Sequence, residues 1–211
     1  MIEIILLISS VLFIFALKLF GRPSTAHRAN TLAMLAMALA VFSAFNFDFS
    51  KYDSAFYITI VVSGLLGVLI SKRVQMTQMP ELVGLFNGFG GGASGAIAYV
   101  ELSGNSLPLS DVFVAIFSMV IGIFTFSGSL VAVMKLRGKL NNFSKKFADI
   151  FSVFLPTIIV IPAVLEMHDL LIEFLILVAL TAGIIRVAVI GGADMPVVIA
   201  FLNSLSGIAA M

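Results

Sequence analysis

The chain contains no cysteine, two histidines, and only 11% charged residues among 211. The missing cysteines exclude disulfides and cysteine-based metal sites, although they do not identify a compartment. His27 and His168 fall in different connections, with no second histidine at metal-ligand spacing, and both read as loop residues. Sparse charge against 61% hydrophobic content excludes a soluble domain. A net charge of +1 leaves no basic patch for nucleic acid.

What the chain does have is long apolar runs. A helix needs about 20 such residues to cross a ~30 Å hydrocarbon layer. Eight segments are expected, at 3–20, 29–47, 54–72, 80–100, 110–134, 148–165, 170–189 and 194–211. The expected fold class is all-α, a polytopic membrane protein with a single transmembrane domain over residues 1–211. Its connections are too short for a separate soluble domain. Glu3 replaces a basic n-region and no small-residue cleavage site follows, so the first segment reads as a retained helix rather than a signal peptide.

Charge placement orients the segments. Lys18, Arg22, Arg28, Lys72 and Arg73 flank the first and third connections. Lys135, Arg137, Lys139, Lys145 and Lys146 occupy the fifth, and Arg186 precedes the seventh. Of the twelve Lys and Arg residues, Lys51 alone lies on the other side. Most acids lie there too, among them Glu3, Asp53, Glu101, Asp111 and Glu173. By the positive-inside rule the N-terminus is expected outside. Glu166, His168, Asp169 and Glu173 then read as an ordinary acidic outer loop.

The run Ile190-Gly-Gly-Ala-Asp-Met-Pro-Val-Val-Ile-Ala-Phe-Leu-Asn-Ser-Leu-Ser-Gly207 places a carboxylate, Asp194, at the mouth of an apolar segment and a carboxamide, Asn203, inside it. Polar groups at membrane depth cost several kcal/mol unless satisfied, so they face protein or a water path. The run echoes Met79-Pro-Glu-Leu-Val-Gly-Leu-Phe-Asn-Gly-Phe-Gly-Gly91 at an offset of 116 residues. Lys18-Leu-Phe-Gly21 and Lys135-Leu-Arg-Gly138 correspond at nearly the same offset. A 4+4 parallel repeat is the hypothesis, as in some transporters.

In both Met-Pro segments the proline falls in the first turn, where its missing N–H is harmless. Asp194 is expected to cap the eighth segment. Met to Asn is eight residues, about 12 Å of helix, so Asn87 and Asn203 are expected near the bilayer middle at similar depth. Gly84, Gly88, Gly91 and Gly95 form a small-residue stripe beside Asn87 and Ser94. Pro196, Ala200, Asn203 and Gly207 form a second, with Ser204 and Ser206 nearby. Small stripes favour close helix packing. Thr125, Ser127 and Ser129, with Gly128 among them, add hydroxyls and complete an expected polar seam. Arg186, one turn inside its segment, is expected to snorkel or to pair with Asp194 or Glu81. Gly90-Gly-Gly-Ala-Ser-Gly95 fits G-x-G-x-x-G, but it lies inside a membrane segment and is discounted as a cofactor site.

Met79–Gly95, Phe126-Ser-Gly-Ser-Leu-Val-Ala-Val-Met-Lys-Leu-Arg-Gly-Lys139 and Ile190–Gly207 together resemble the membrane domain of the beta subunit of proton-translocating NAD(P) transhydrogenase. The resemblance implies hydride transfer between NADH and NADP⁺ on partner domains, coupled to protons crossing the membrane domain. It implies no cofactor on this chain and no catalysis by it alone. The resemblance implies functional roles for Asn87, Asn203, Ser127, Ser129 and Asp194; the residues themselves add Ser94 and Ser204 to the expected proton path, and Arg186 and Glu81 to Asp194 in the expected coupling to the NADP domain. Implied partners are alpha subunits carrying the NAD-binding domain and membrane helices, an NADP-binding domain, the lipid bilayer, and a second copy in a dimer of the whole assembly. The implied location is the bacterial cytoplasmic (inner) membrane.

Two departures stand out. Some members carry histidine where this chain has Asn87, and an amide cannot exchange a proton near neutral pH. A partner's histidine is therefore expected. The family's beta subunit also continues through a ninth helix to an NADP-binding domain, both absent here, so a fragment or split subunit is expected. The rival expectations are an independent small secondary transporter and a purely structural anchor.

Overall fold

The computed structural model describes residues 2–44, 52–104, 107–141, 149 and 168–210. Among them are seven α-helices, three 3-10 turns and no strand. Five stretches have the length and composition to cross a membrane: Ile2–Phe20, Ser54–Arg73, Ser110–Leu136, Leu171–Ala188 and Gly192–Ala209. The expected sixth segment, 148–165, lies outside the described residues apart from residue 149. The chain divides into two compact units, residues 1–72 and 73–211.

The first unit holds α1 (Ile2–Phe20), α2 (Ala26–Ala44) and α3 (Ser54–Arg73). Ser9, Ala16, Ala29 and Ala36 are all buried where α1 meets α2. Such small side chains let the two backbones approach closely. Ser9 Oγ donates to the Ala36 carbonyl at 2.7 Å, a polar tie inside an apolar seam. Helix α2 starts three residues earlier than expected. Pro23 opens a 3-10 turn, Pro23–Thr25, which passes directly into helix at Ala26. Thr25 Oγ1 closes the turn by donating to the Leu19 carbonyl at 2.5 Å. No residue of α3 is buried, which suits an apolar helix whose solvent is lipid.

The second unit holds α4 (Met79–Gly104), α5 (Leu109–Leu136), α6 (His168–Ala188) and α7 (Met195–Ala209). Helix α5 packs against each of the other three, and α4 also touches α7. Its central place follows from residues buried around its circumference, from Ala115 and Met119 through Thr125 and Ser129 to Val133. The crossing with α4 is backbone on backbone. A Cβ added at Gly122 would lie 2.6 Å from both the Gly91 carbonyl oxygen and the Gly95 nitrogen. The α4 stripe is therefore a packing surface: Gly84, Gly88, Gly91 and Gly95 are all buried.

Helix α5 ends in a Schellman motif. Gly138 takes φ 66°, its N–H donates to the Lys135 carbonyl, and the Lys139 N–H donates to that of Met134, both at 2.9 Å. Glycine accepts that left-handed backbone without the Cβ penalty.

Candidate functional site

Helices α4 and α7 begin alike. Each follows a three-residue 3-10 turn, Met76–Gln78 or Gly192–Asp194, and each opens with Met-Pro. At the first, the Gln75 N–H donates to Gln78 Oε1 at 3.3 Å. At the second, Asp194 does not cap as expected. It already has helical angles, φ −90° and ψ −2°, and makes no side-chain cap bond. Capping needs an extended residue before the helix. That position has moved back to Gly191, at φ −64° and ψ 148°, whose carbonyl accepts the Asp194 N–H at 3.1 Å.

Two turns into α4, Asn87 is 8% exposed. Its Nδ2 donates to Ser129 Oγ of α5 at 2.9 Å. Ser129 is fully buried. Asn87 Oδ1 is buried and accepts no hydrogen bond within the described protein. A buried amide oxygen left so is costly, about 1–3 kcal/mol, so this one is suited to a further donor. The matching asparagine of α7 is near it. Asn87 and Asn203 line one open groove of 550 Å³ between α4 and α7, together with Val83, Gly90, Pro196 and Ser206. Ser206 Oγ is a second buried polar atom without a partner.

The two small-residue stripes differ in role. On α7, Pro196, Ala200, Asn203 and Gly207 are exposed, while Met195, Ile199, Leu202 and Ala209 form the buried face. The large residues of α7 fill the space against Val131, Ala132, Val187 and Ala188. Spacing alone fixes which residues share a helix face; the neighbouring helices determine which face turns inward.

The expected hydroxyl seam divides in the same way. Residues two apart on a helix do not share a face. Ser129 meets Asn87, whereas Ser127 packs against Gly183 of α6, where a Cβ would collide with its Oγ. Ser127 Oγ instead donates back to the Phe124 carbonyl at 3.1 Å. Ser94 and Ser204 likewise bond within their own helices, to the carbonyls of Gly90 at 3.1 Å and Ala200 at 3.2 Å. Ser94 opens on a second hollow of 420 Å³, shared with Glu101, Asp111 and Ser118.

At the Met-Pro ends, Glu81 pairs with Arg137 rather than Arg186. Arg137 Nε donates to Glu81 Oε2 at 2.7 Å. The pair joins the first turn of α4 to the cap of α5. Arg186 and Asp194 are exposed, and among the described residues neither forms an ion pair. Sequence reasoning passed over Lys135, which is 5% exposed despite its charge. Its Nζ donates to the Ile190 carbonyl at 2.5 Å, gripping the α6–α7 connection. Its place in the last turn of an apolar helix made it look like one more cytoplasmic cation. The signal available was its spacing of four and three residues from Val131 and Ala132, which puts it on their face of α5.

None of the residues lining the Asn87–Asn203 groove titrates near neutral pH. No cluster able to hold a metal ion occurs among the described residues. Five helices long and apolar enough to cross a membrane fit a multi-pass membrane protein.

The NAD(P) transhydrogenase beta subunit family matches residues 2–211, and the chain belongs to that family. Two curated relatives are each named NAD(P) transhydrogenase subunit beta, one from Rhodospirillum rubrum and one from a designated strain of that species. Each is 32% identical over 219 residues, covering 97% of this chain and 47% of the relative. The chain spans about half the length of the curated relatives it matches. An independent transporter finds no support in that membership.

Proposed function

We propose that this chain forms the proton-translocating membrane part of an NAD(P) transhydrogenase. In this reading it couples proton movement across the bilayer to hydride transfer between NADH and NADP⁺ on partner domains. The observation that carries it is the groove holding both Asn87 and Asn203. Asn87 is pinned through one end of its amide to Ser129, with the other end unpartnered. An amide fixed in that way orients water or a partner's side chain without itself changing charge. The proton carrier then comes from outside the groove lining, and a histidine on an alpha-subunit membrane helix is the group of the right chemistry.

Asn203 lines the same groove as Asn87, whose amide is held by Ser129. Glu81 lies in the first turn of α4, Arg186 in the last turn of α6 and Asp194 just before α7; in this reading the three couple the groove to the NADP-binding domain. Coupling there requires two states that both the proton and the nucleotide bias. The remaining parts of the reading are eight spans with the N-terminus outside, a 4+4 parallel repeat, a dimeric assembly and the bacterial inner membrane. The similar 3-10 entries into α4 and α7, 116 positions apart, support the repeat.

The test reconstitutes the chain in liposomes with its NADP-binding domain and alpha subunits. Hydride transfer between nucleotide analogues is followed together with internal pH. Protons moving in fixed ratio to hydride, with the ratio lost in Asn203→Leu, is the expected result. An unchanged ratio in that variant would remove the groove from the proton path.

A further inference from the structure

Lys135 is a buried cation to which the proton path assigns no task. Three cations sit at the end of α5, and Arg137 and Lys139 are exposed. Either of those can offset the negative end of the helix dipole from the surface. Lys135 is drawn inward instead, at 5% exposure, with Nζ on the Ile190 carbonyl at 2.5 Å. The α6–α7 connection also lies close to its backbone: a Cβ on Gly192 would sit 3.6 Å from the Lys135 carbonyl oxygen.

Its position along α5 links two features of the site. Ser129, which accepts the Asn87 amide, lies six residues earlier on the same helix, about 9 Å at 1.5 Å per residue. Between them, Val131 and Ala132 pack against Val187, Ala188, Met195 and Ile199. This stretch of α5 therefore meets the groove residue Asn87 at one end, through Ser129, and the connection beginning at Ile190 at the other. Close-packed interiors pass a displacement on rather than absorb it. If the connection moved without α5, a buried ammonium would lose an acceptor, and that loss is costly where the medium is apolar.

We propose that Lys135 is a positioning residue that ties the Asn87–Ser129 pair to the Gly191–Asp194 connection, so that the state of the groove sets the placement of Asp194. The inference rests on the function proposed above. It assigns to α5 a link that the exposed Arg186 and the surface pair Glu81–Arg137 do not supply.

The experiment uses the assembled enzyme in liposomes and compares Lys135→Met, Lys135→Arg and Asn203→Leu with wild type. The readout is protons moved per hydride transferred. Lys135→Met is expected to lower that ratio at least about fivefold in whatever hydride transfer remains, a coupling loss within the usual allosteric range. Lys135→Arg, which keeps a cationic donor, is expected to recover at least about half of it. A methionine variant with less activity at an unchanged ratio would make Lys135 merely structural and overturn the proposal. So would an arginine variant as uncoupled as the methionine one. If the methionine variant does not assemble, Lys135→Gln is judged by the same ratio: a drop supports the link and a wild-type ratio overturns it. Should Asn203→Leu lower the ratio while Lys135→Met does not, this inference alone fails. Should neither lower it, the function fails with it.

Discussion

Asn87 and Ser129, 42 residues apart in sequence, meet through a 2.9 Å hydrogen bond inside the second unit. The bond leaves the amide's buried oxygen without a partner at the edge of a groove shared with Asn203. One side of the amide is therefore structural and the other is open for chemistry. That division separates effects on stability from effects on transport.

The structural side should appear in a double-mutant cycle. Asn87→Ala and Ser129→Ala should each destabilise, and the pair should couple by about 0.5–1.5 kcal/mol, the net worth of a buried hydrogen bond. Unfolding in mixed micelles by denaturant titration measures it. Strict additivity would mean that the bond contributes nothing.

The backbone crossing at Gly91 and Gly122 permits almost no added volume. Gly122→Ala should destabilise the second unit by about 1–3 kcal/mol, because the new methyl meets backbone that cannot swing away. Gly90→Ala, with nothing within 4 Å of its added Cβ, should be neutral or stabilising by up to about 1 kcal/mol, the helix-propensity gain of alanine over glycine. Thermal unfolding of the two variants side by side distinguishes them.

The Glu81–Arg137 pair is half open to solvent, its side chains 19% and 51% exposed. Its coupling should be no more than about 1 kcal/mol and should shrink as salt is added. A charge-swap cycle at low and high ionic strength checks this. A larger value, insensitive to salt, would show the pair to be desolvated in the assembled protein.

Gly138 is held at φ 66° by the Schellman cap. Gly138→Ala should cost about 1 kcal/mol and loosen the last turn of α5, next to Lys135. Hydrogen exchange at the Lys139 amide, which donates to the Met134 carbonyl, should quicken accordingly.

Features local to one helix were legible in the sequence. The expected segment bounds 54–72, 110–134 and 170–189 fall within a few residues of α3, α5 and α6, because apolar length and flanking charge define them. The glycine stripe of α4 and the burial of Asn87 could be read from i, i+4, i+7 spacing. Features that depend on which helices are neighbours could not. The α7 stripe looked equivalent, yet it turns outward because Met195, Ile199 and Leu202 offer the larger apolar face to α5. Glu81 is one of the partners expected for Arg186, but it meets Arg137 because α5 ends beside the start of α4. The division of Ser127 from Ser129 was readable in principle, since two residues along a helix amount to about 200° of turn.

The most direct measurement is internal pH in liposomes bearing the assembled enzyme, recorded while hydride transfer runs, for wild type and Asn87→Leu. Leucine keeps the branched shape and heavy-atom count of asparagine, with bulkier ends, but removes both polar ends of the amide. The account predicts that protons moved per hydride fall by about tenfold or more, the effect of ~1.4 kcal/mol or more on the proton step. An Asn87→Leu enzyme that moves protons at the wild-type ratio would contradict it.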